Sequence, residues 1–232
     1  SPGSPGRHPR SRLFHAPAKG PEDHLVSFWL GWALLVCGLQ VWHLFLPVDD
    51  RVRMLTAGLG ALGLLLDGPT PWRRWLHGAW RNLPLLAVGG LAAWWLSNLS
   101  MGGPRFGDSG LYHIPLVRWN VEYPAVPGLG NLFPSFGQAH SHYLYLAWLD
   151  VGSFAGRSYH LANGILLLAL AGRALIGIGR LVRKNDACRM TDLFYVLFLP
   201  AVVEWGLGIF LTSPSPDLAI FALGVILSGE LI

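Results

Sequence analysis

Charged side chains are scarce in this chain and cluster between long apolar runs, which restricts the solvent it can fold in. Of 232 residues, 52% are hydrophobic and only 13% are Asp, Glu, Lys or Arg. A soluble domain carries about 25% charged residues, because its surface must be hydrated. Here the apolar runs approach the roughly 20 residues that cross a bilayer core of about 30 Å. The expectation is therefore an all-α, multi-pass transmembrane helix bundle.

The formal net charge is +4. Its basic residues lie beside apolar runs, not interleaved with aromatics on a polar face, so membrane topology explains them and nucleic acid is not expected as a partner. Cys37 lies in an apolar run and Cys188 in a basic loop. A disulfide between them is not expected, and neither belongs to a zinc-binding pattern.

Residues 1–24 are rich in Pro, Gly, Ser and Arg and read as a disordered basic tail. Residues 25–232 read as a partial transmembrane domain. About six spans are expected: Leu25 to Leu46, Val52 to Leu66, Leu83 to Leu99, Leu161 to Gly179, Leu193 to Leu211, and Leu218 to Ile232. The chain opens on Ser and stops inside the last run, a pattern that reads as part of a longer protein. Between the second and third runs, Trp72 to Arg81 is basic and aromatic and suits a membrane interface.

The tail, the 72–81 stretch and the 180–189 loop are the most basic segments. The positive-inside rule puts them, and the N-terminus, in the cytoplasm. Segments 47–51, 100–156 and 213–217 then face the other side. Arg51 and Arg53, at an outside turn, sit uneasily with this. Segment 100–156 is too long for a structureless loop, so one or two short interfacial helices are expected in it.

The densest polar cluster follows the third run: Asp108, Ser109, Tyr112, His113, Arg118, Asn120 and Glu122. Asp108 and Ser109 are suited to cap a helix running toward Asn120. Leu111, Ile114, Val117, Arg118 and Val121 would share its face, with Tyr112, His113 and Trp119 around it. A carboxylate beside a His and an Arg can accept a proton from an attacking hydroxyl while the basic groups hold a phosphate. The simpler alternative makes Asp108 a cap and His113 an interfacial aromatic.

The spacing Asp108, Tyr112, His113, Pro115, Val117, Trp119 resembles the first-loop motif of bacterial polytopic glycosyltransferases of the GT-C type. The stretch from Glu122 to Asn131, ending in VPGLGN, is similar to a segment of uncharacterised bacterial membrane proteins of that kind. The resemblance covers roughly residues 80–232. It implies a bacterial inner-membrane enzyme that transfers a sugar from a polyprenyl-phosphate donor at the extracytoplasmic face. Asp108 would be the general base. Tyr112, His113, Arg118, Glu122, Asn131, His140, His142 and Asp217 would bind substrate. No D-x-D occurs, so neither a metal ion nor another cofactor is implied. The expected partners are a lipid-linked sugar and membrane lipids.

Other features carry less. Gly128 to Asn131 has no strand and helix around it to make a nucleotide site, and reads as a tight turn that allows close backbone approach. His140 and His142, two residues apart, suit a strand better than a helix. Arg173 and Glu204 fall inside apolar runs, where charges are functional candidates. Arg173 could instead snorkel to the cytoplasmic end, and Glu204 could hydrogen-bond a neighbouring helix. Asp217 reads first as a helix cap and second as another acid facing the cleft of Asp108. Glu204, Arg173 and the broken helices leave a flippase of lipid-linked saccharides open, and a non-catalytic envelope-assembly subunit is a third possibility.

Overall fold

The computed structural model describes residues 21–67, 83–105, 107–137, 140–182 and 189–232. Among these, all regular structure is helical. Eight α-helices run in the order α1 (Pro21–His43), α2 (Asp50–Asp67), α3 (Leu83–Ser100), α4 (Ile114–Glu122), α5 (Ser141–Leu149), α6 (Tyr159–Val182), α7 (Met190–Trp205) and α8 (Asp217–Glu230). Residues 1–20, most of the tail, the 72–81 stretch, most of the 180–189 loop and Cys188 lie outside the described residues. Cys37 is a free thiol.

Helix α1 begins four residues ahead of Leu25. Pro21 opens it, and Glu22 and Asp23 stand in its first turn, where carboxylates meet the positive end of the helix dipole. The centre of the fold is α6, which packs against α1, α3, α5, α7 and α8. Its Leu166, Leu167, Leu170 and Ala174 are buried together with Leu39 of α1, Leu146 of α5 and Ala222 of α8. Two glycines set helix spacing. A Cβ on Gly177 would come within 3.0 Å of the Asp192 carbonyl, and one on Gly229 would collide with the Tyr195 ring. Both helix pairs approach where a side chain is missing.

The six-span bundle is not what the chain forms. Only α1, over Glu22–His43, and α6, over Tyr159–Val182, are long and apolar enough among the described helices to cross a membrane. Apolar runs and helix bounds do not coincide. The run Val52 to Leu66 belongs to an 18-residue helix with Asp50, Arg51, Arg53 and Asp67 at its ends. The fifth run breaks after 16 helical residues into a π-helical segment, Gly206–Phe210. Helix α8 has 14 residues.

Segment 100–156 contains two short α-helices, α4 and α5, of nine residues each. Helix α5 is buried from His142 through Ala147, packed between α1, α4 and α6. The backbone N–H of Val48 donates to Asn120 O at 2.8 Å and that of Ala125 to His43 O at 2.8 Å, tying the α1–α2 turn to the end of α4.

Arg53, the awkward cation of the outer turn, has a structural task. Its guanidinium donates to the carbonyls of Ala147 (2.8 Å), Trp148 (3.1 Å) and Asp150 (3.0 Å), closing the C-terminus of α5. Unpaired carbonyls and a negative dipole end make that a natural site for Arg. Such a cation says little about which side of a membrane it occupies.

Candidate functional site

Asp108 is not a helix cap. Its backbone is already helical, and its carboxylate makes no capping hydrogen bond. Instead Oδ2 accepts a hydrogen bond from the Tyr112 hydroxyl, 3.1 Å away. Between them the helix widens into a π-turn, Ser109–His113. Such turns hold one extra residue and recur at functional sites. Ser109, His113, Leu116 and Val117 face inward, whereas Leu111 and Arg118, expected on the packed face, are exposed.

The second acid arrives from the other end of the chain. Asn163, buried on α6, donates to the carbonyls of Phe210 (2.8 Å) and Ser213 (2.7 Å) and so anchors the 211–216 turn. The Ser213 hydroxyl accepts from Ser215 N–H at 3.1 Å and lies 3.4 Å from the Ser109 hydroxyl, joining the turn to the π-turn. The Ser215 hydroxyl donates to Asp217 Oδ2 at 2.6 Å. Asp217 is the first residue of α8 and not its cap. The serine hydroxyl holds the carboxylate, which remains half-exposed.

Electrostatics show what the two acids share. Burial raises the Tyr112 hydroxyl above its ordinary pKa, and the Asp108 hydrogen bond and the charges of Asp108 and Asp217 add to this. His113 is lowered by burial, with His140 reinforcing and the two carboxylates opposing the shift. The Tyr143 hydroxyl is raised by burial, then by Tyr112, Asp217 and Asp108. His142 is pushed down to about 3 by burial, His140 and His113. Ring contacts complete the cluster: His113 to Tyr112 at 4.3 Å, His113 to Tyr143 at 5.5 Å, and His140 to Tyr143 at 5.7 Å between centroids. Two carboxylates thus act on one imidazole, His113, and on the phenols of Tyr112 and Tyr143, an arrangement able to take a proton from a hydroxyl.

Asp108, Tyr112, His113, His140, His142 and Asp217, all expected in the site, come together. Arg118 and Glu122 are exposed on α4. Asn131 is exposed at the end of a 3₁₀ turn, Leu129–Asn131. That turn needs its glycines: Gly128 has φ +81°, and a Cβ on Gly130 would lie 3.2 Å from Gly137 Cα. His140 precedes α5 and His142 lies within it, so the pair sits at a helix N-terminus and not on a strand. Tyr143, Ser213 and Asn163 also join the site without a sequence pattern that marks them, and Ser109, expected as a cap, lies buried in it. Single polar residues in apolar runs, such as Asn163, leave no pattern to detect. Among the described residues no group of three or more His, Cys, Asp or Glu is placed to hold a metal ion.

The family model of a domain of unknown function, DUF8201, matches residues 10–232, and the chain belongs to that family. No curated protein and no solved structure matches it.

Proposed function

We propose that this protein is a membrane-bound glycosyltransferase that moves a sugar from a polyprenyl-phosphate donor to a hydroxyl acceptor, with Asp108 as general base. The observation that carries this reading is Asp108 itself. It is a half-buried carboxylate, free of capping duty, held by Tyr112, and its charge acts on that hydroxyl together with the charge of Asp217. In the reaction the acceptor O–H gives its proton to Asp108. The oxygen bonds to the anomeric carbon, and the bond from that carbon to the phosphate oxygen breaks. Polyprenyl phosphate leaves with the electron pair. The likeness of the Asp108 to Asn131 segment to GT-C loops supports the donor class.

Membrane attachment through α1 and α6 accompanies the proposal. It is supported by the apolar side chains left exposed on α1, α2 and α3, among them Leu34, Leu65, Leu66, Leu91 and Trp94. Extended apolar surface of this kind needs lipid or protein to cover it. In keeping with the positive-inside pattern, the site would face away from the cytoplasm of a bacterial inner membrane.

The test is transfer from a polyprenyl-linked sugar by the full-length protein in nanodiscs, wild type against Asp108→Asn. Loss of transfer with the fold intact is expected. Undiminished transfer by the variant overturns the proposal.

A further inference from the structure

The cluster around Asp108 and Asp217 contains more hydrogen-bonding capacity than the protein satisfies. His113, His142 and Tyr143 are 3%, 5% and 2% exposed. Yet His113 Nδ1, both ring nitrogens of His142 and the Tyr143 hydroxyl are buried without a partner. Buried polar groups are nearly always paired, and an unmade hydrogen bond costs about 1–3 kcal/mol. Several such atoms in one cluster describe a place built for a polar ligand.

The charges say which kind. Among the described residues, those acting on Tyr112, His113 and Tyr143 come from Asp108 and Asp217, with His140 beside them, and include no Lys or Arg. Arg118, the expected phosphate binder, is exposed on α4. A phosphate or carboxylate would meet two negative charges and no cation. Hydroxyl groups suit the set on every count. They donate to carboxylates and to imidazole nitrogen, and they accept from tyrosine and imidazole N–H. The rings of Tyr112, His113 and Tyr143 add flat surface for the C–H face of a sugar.

We infer that the cluster of His113, His142, Tyr143, Asp108 and Asp217 is a binding site for a neutral polyhydroxylated ligand, a sugar ring bearing no phosphate or carboxylate. Its role as acceptor rests on the glycosyl-transfer reading, whereas its selectivity does not. The phosphate of the donor must be held elsewhere. Asp217 serves in this site to exclude anions as well as to accept from hydroxyls.

Binding can be measured without any transfer, by saturation-transfer NMR on the full-length protein in nanodiscs. Four probes are used: methyl β-glucoside, glucuronate, glucose 6-phosphate and glucosamine. Methyl glucoside should bind, and glucuronate and glucose 6-phosphate should bind at least tenfold more weakly. Tyr143→Phe, which removes only a hydroxyl, should weaken methyl glucoside about fivefold or more, the effect of one buried hydrogen bond of about 1 kcal/mol. Asp217→Asn should narrow the gap between neutral and anionic probes. Equal or tighter binding of either anion overturns the inference, as does failure of all four to bind. Preference for glucosamine also overturns it, replacing a polyol site with an ammonium site. Neutral binding with no transfer from any polyprenyl donor leaves this inference standing and removes the glycosyltransferase. Transfer together with anion preference does the reverse.

Discussion

The fold buries acids in two places along α6, and it treats them differently. Near the C-terminal end of that helix, Asp192 is fully buried and saturated with donors. Arg173 and Arg180 reach it at 2.8 and 3.1 Å, and the Arg189 N–H at 3.1 Å. Arg180 also pairs with Glu22 at 2.6 Å, drawing in the start of α1, and Arg173 lies 4.7 Å over the Tyr195 ring. Burial alone would raise the Asp192 carboxyl, but the hydrogen bonds from Arg173, Arg189 and Arg180 hold it below the usual carboxylate range. Near the other end of α6, about 25 Å away along the helix axis, Asp108 and Asp217 take their side-chain hydrogen bonds from hydroxyls. Among the described residues, Asp192 is matched by Arg173 and Arg180 at one end, whereas neither acid at the other forms an ion pair with Lys or Arg. Matched buried charges hold helices in register; unmatched, half-exposed ones are available to a ligand.

The largest expected effect falls on the unmatched end. Asp108→Asn should lower transfer by about 10²- to 10⁴-fold, the usual contribution of a general base, with little change in melting temperature. A large drop in stability instead would place Asp108 with Asp192 as a structural acid. At the matched end Arg173→Met should destabilise the protein by about 1.5–3 kcal/mol, because Asp192 loses one buried charged hydrogen bond while it keeps Arg180. Denaturation in detergent micelles would measure this, and sugar binding should survive at temperatures where the fold persists. Replacing Asp192 by Leu in the same chain should recover much of the loss. An unchanged midpoint for Arg173→Met would break the comparison.

Acid should act through the site and not through the ion pairs. His142 is neutral in the folded state down to about pH 3, whereas in the unfolded chain it takes up a proton near 6.5. Between those values the unfolded state holds more protons, so stability falls as pH falls. From pH 7 to pH 5 the loss due to this group is about 2 kcal/mol. His113 contributes in the same direction. Melting curves against pH should show this slope, and His142→Gln should flatten it. A slope unchanged in the variant would assign the acid sensitivity elsewhere. The smallest effect is expected for Tyr112→Phe, which removes one hydrogen bond to Asp108, worth about 1 kcal/mol or roughly fivefold in transfer.

Much of the site was legible because its first half is local. Asp108, Tyr112 and His113 fall within six residues, and the spacing alone draws notice. Asp217 stands in a polar turn of two prolines, which marks it as well. What composition conceals is the register and the long-range ties. Nothing in Ser109 to His113 announces a π-turn, and Leu111, taken as inward because it is apolar, lies on the exposed face with Arg118 seven residues on. Asn163 and Asp192 are lone polar residues beside long apolar runs, and their partners are 47 and 19 residues away in sequence. The span count failed for a related reason. Hydrophobicity records which residues avoid water, but helix length is set by caps, kinks and charges such as Asp50, Arg53 and the break after Trp205.

The π-turn at Ser109–His113 also makes this segment intolerant of changes in length. An α-helix advances about 100° per residue, so one residue added or removed between Tyr112 and Asn120 would turn Asp108 and Tyr112 out of phase with the residues that follow. Each side chain could be kept and the cluster would still come apart. Between Asp108 and Asn120 the number of residues is therefore as much a part of the chemistry as their identity, and an insertion or deletion there should be harder to accommodate than most substitutions.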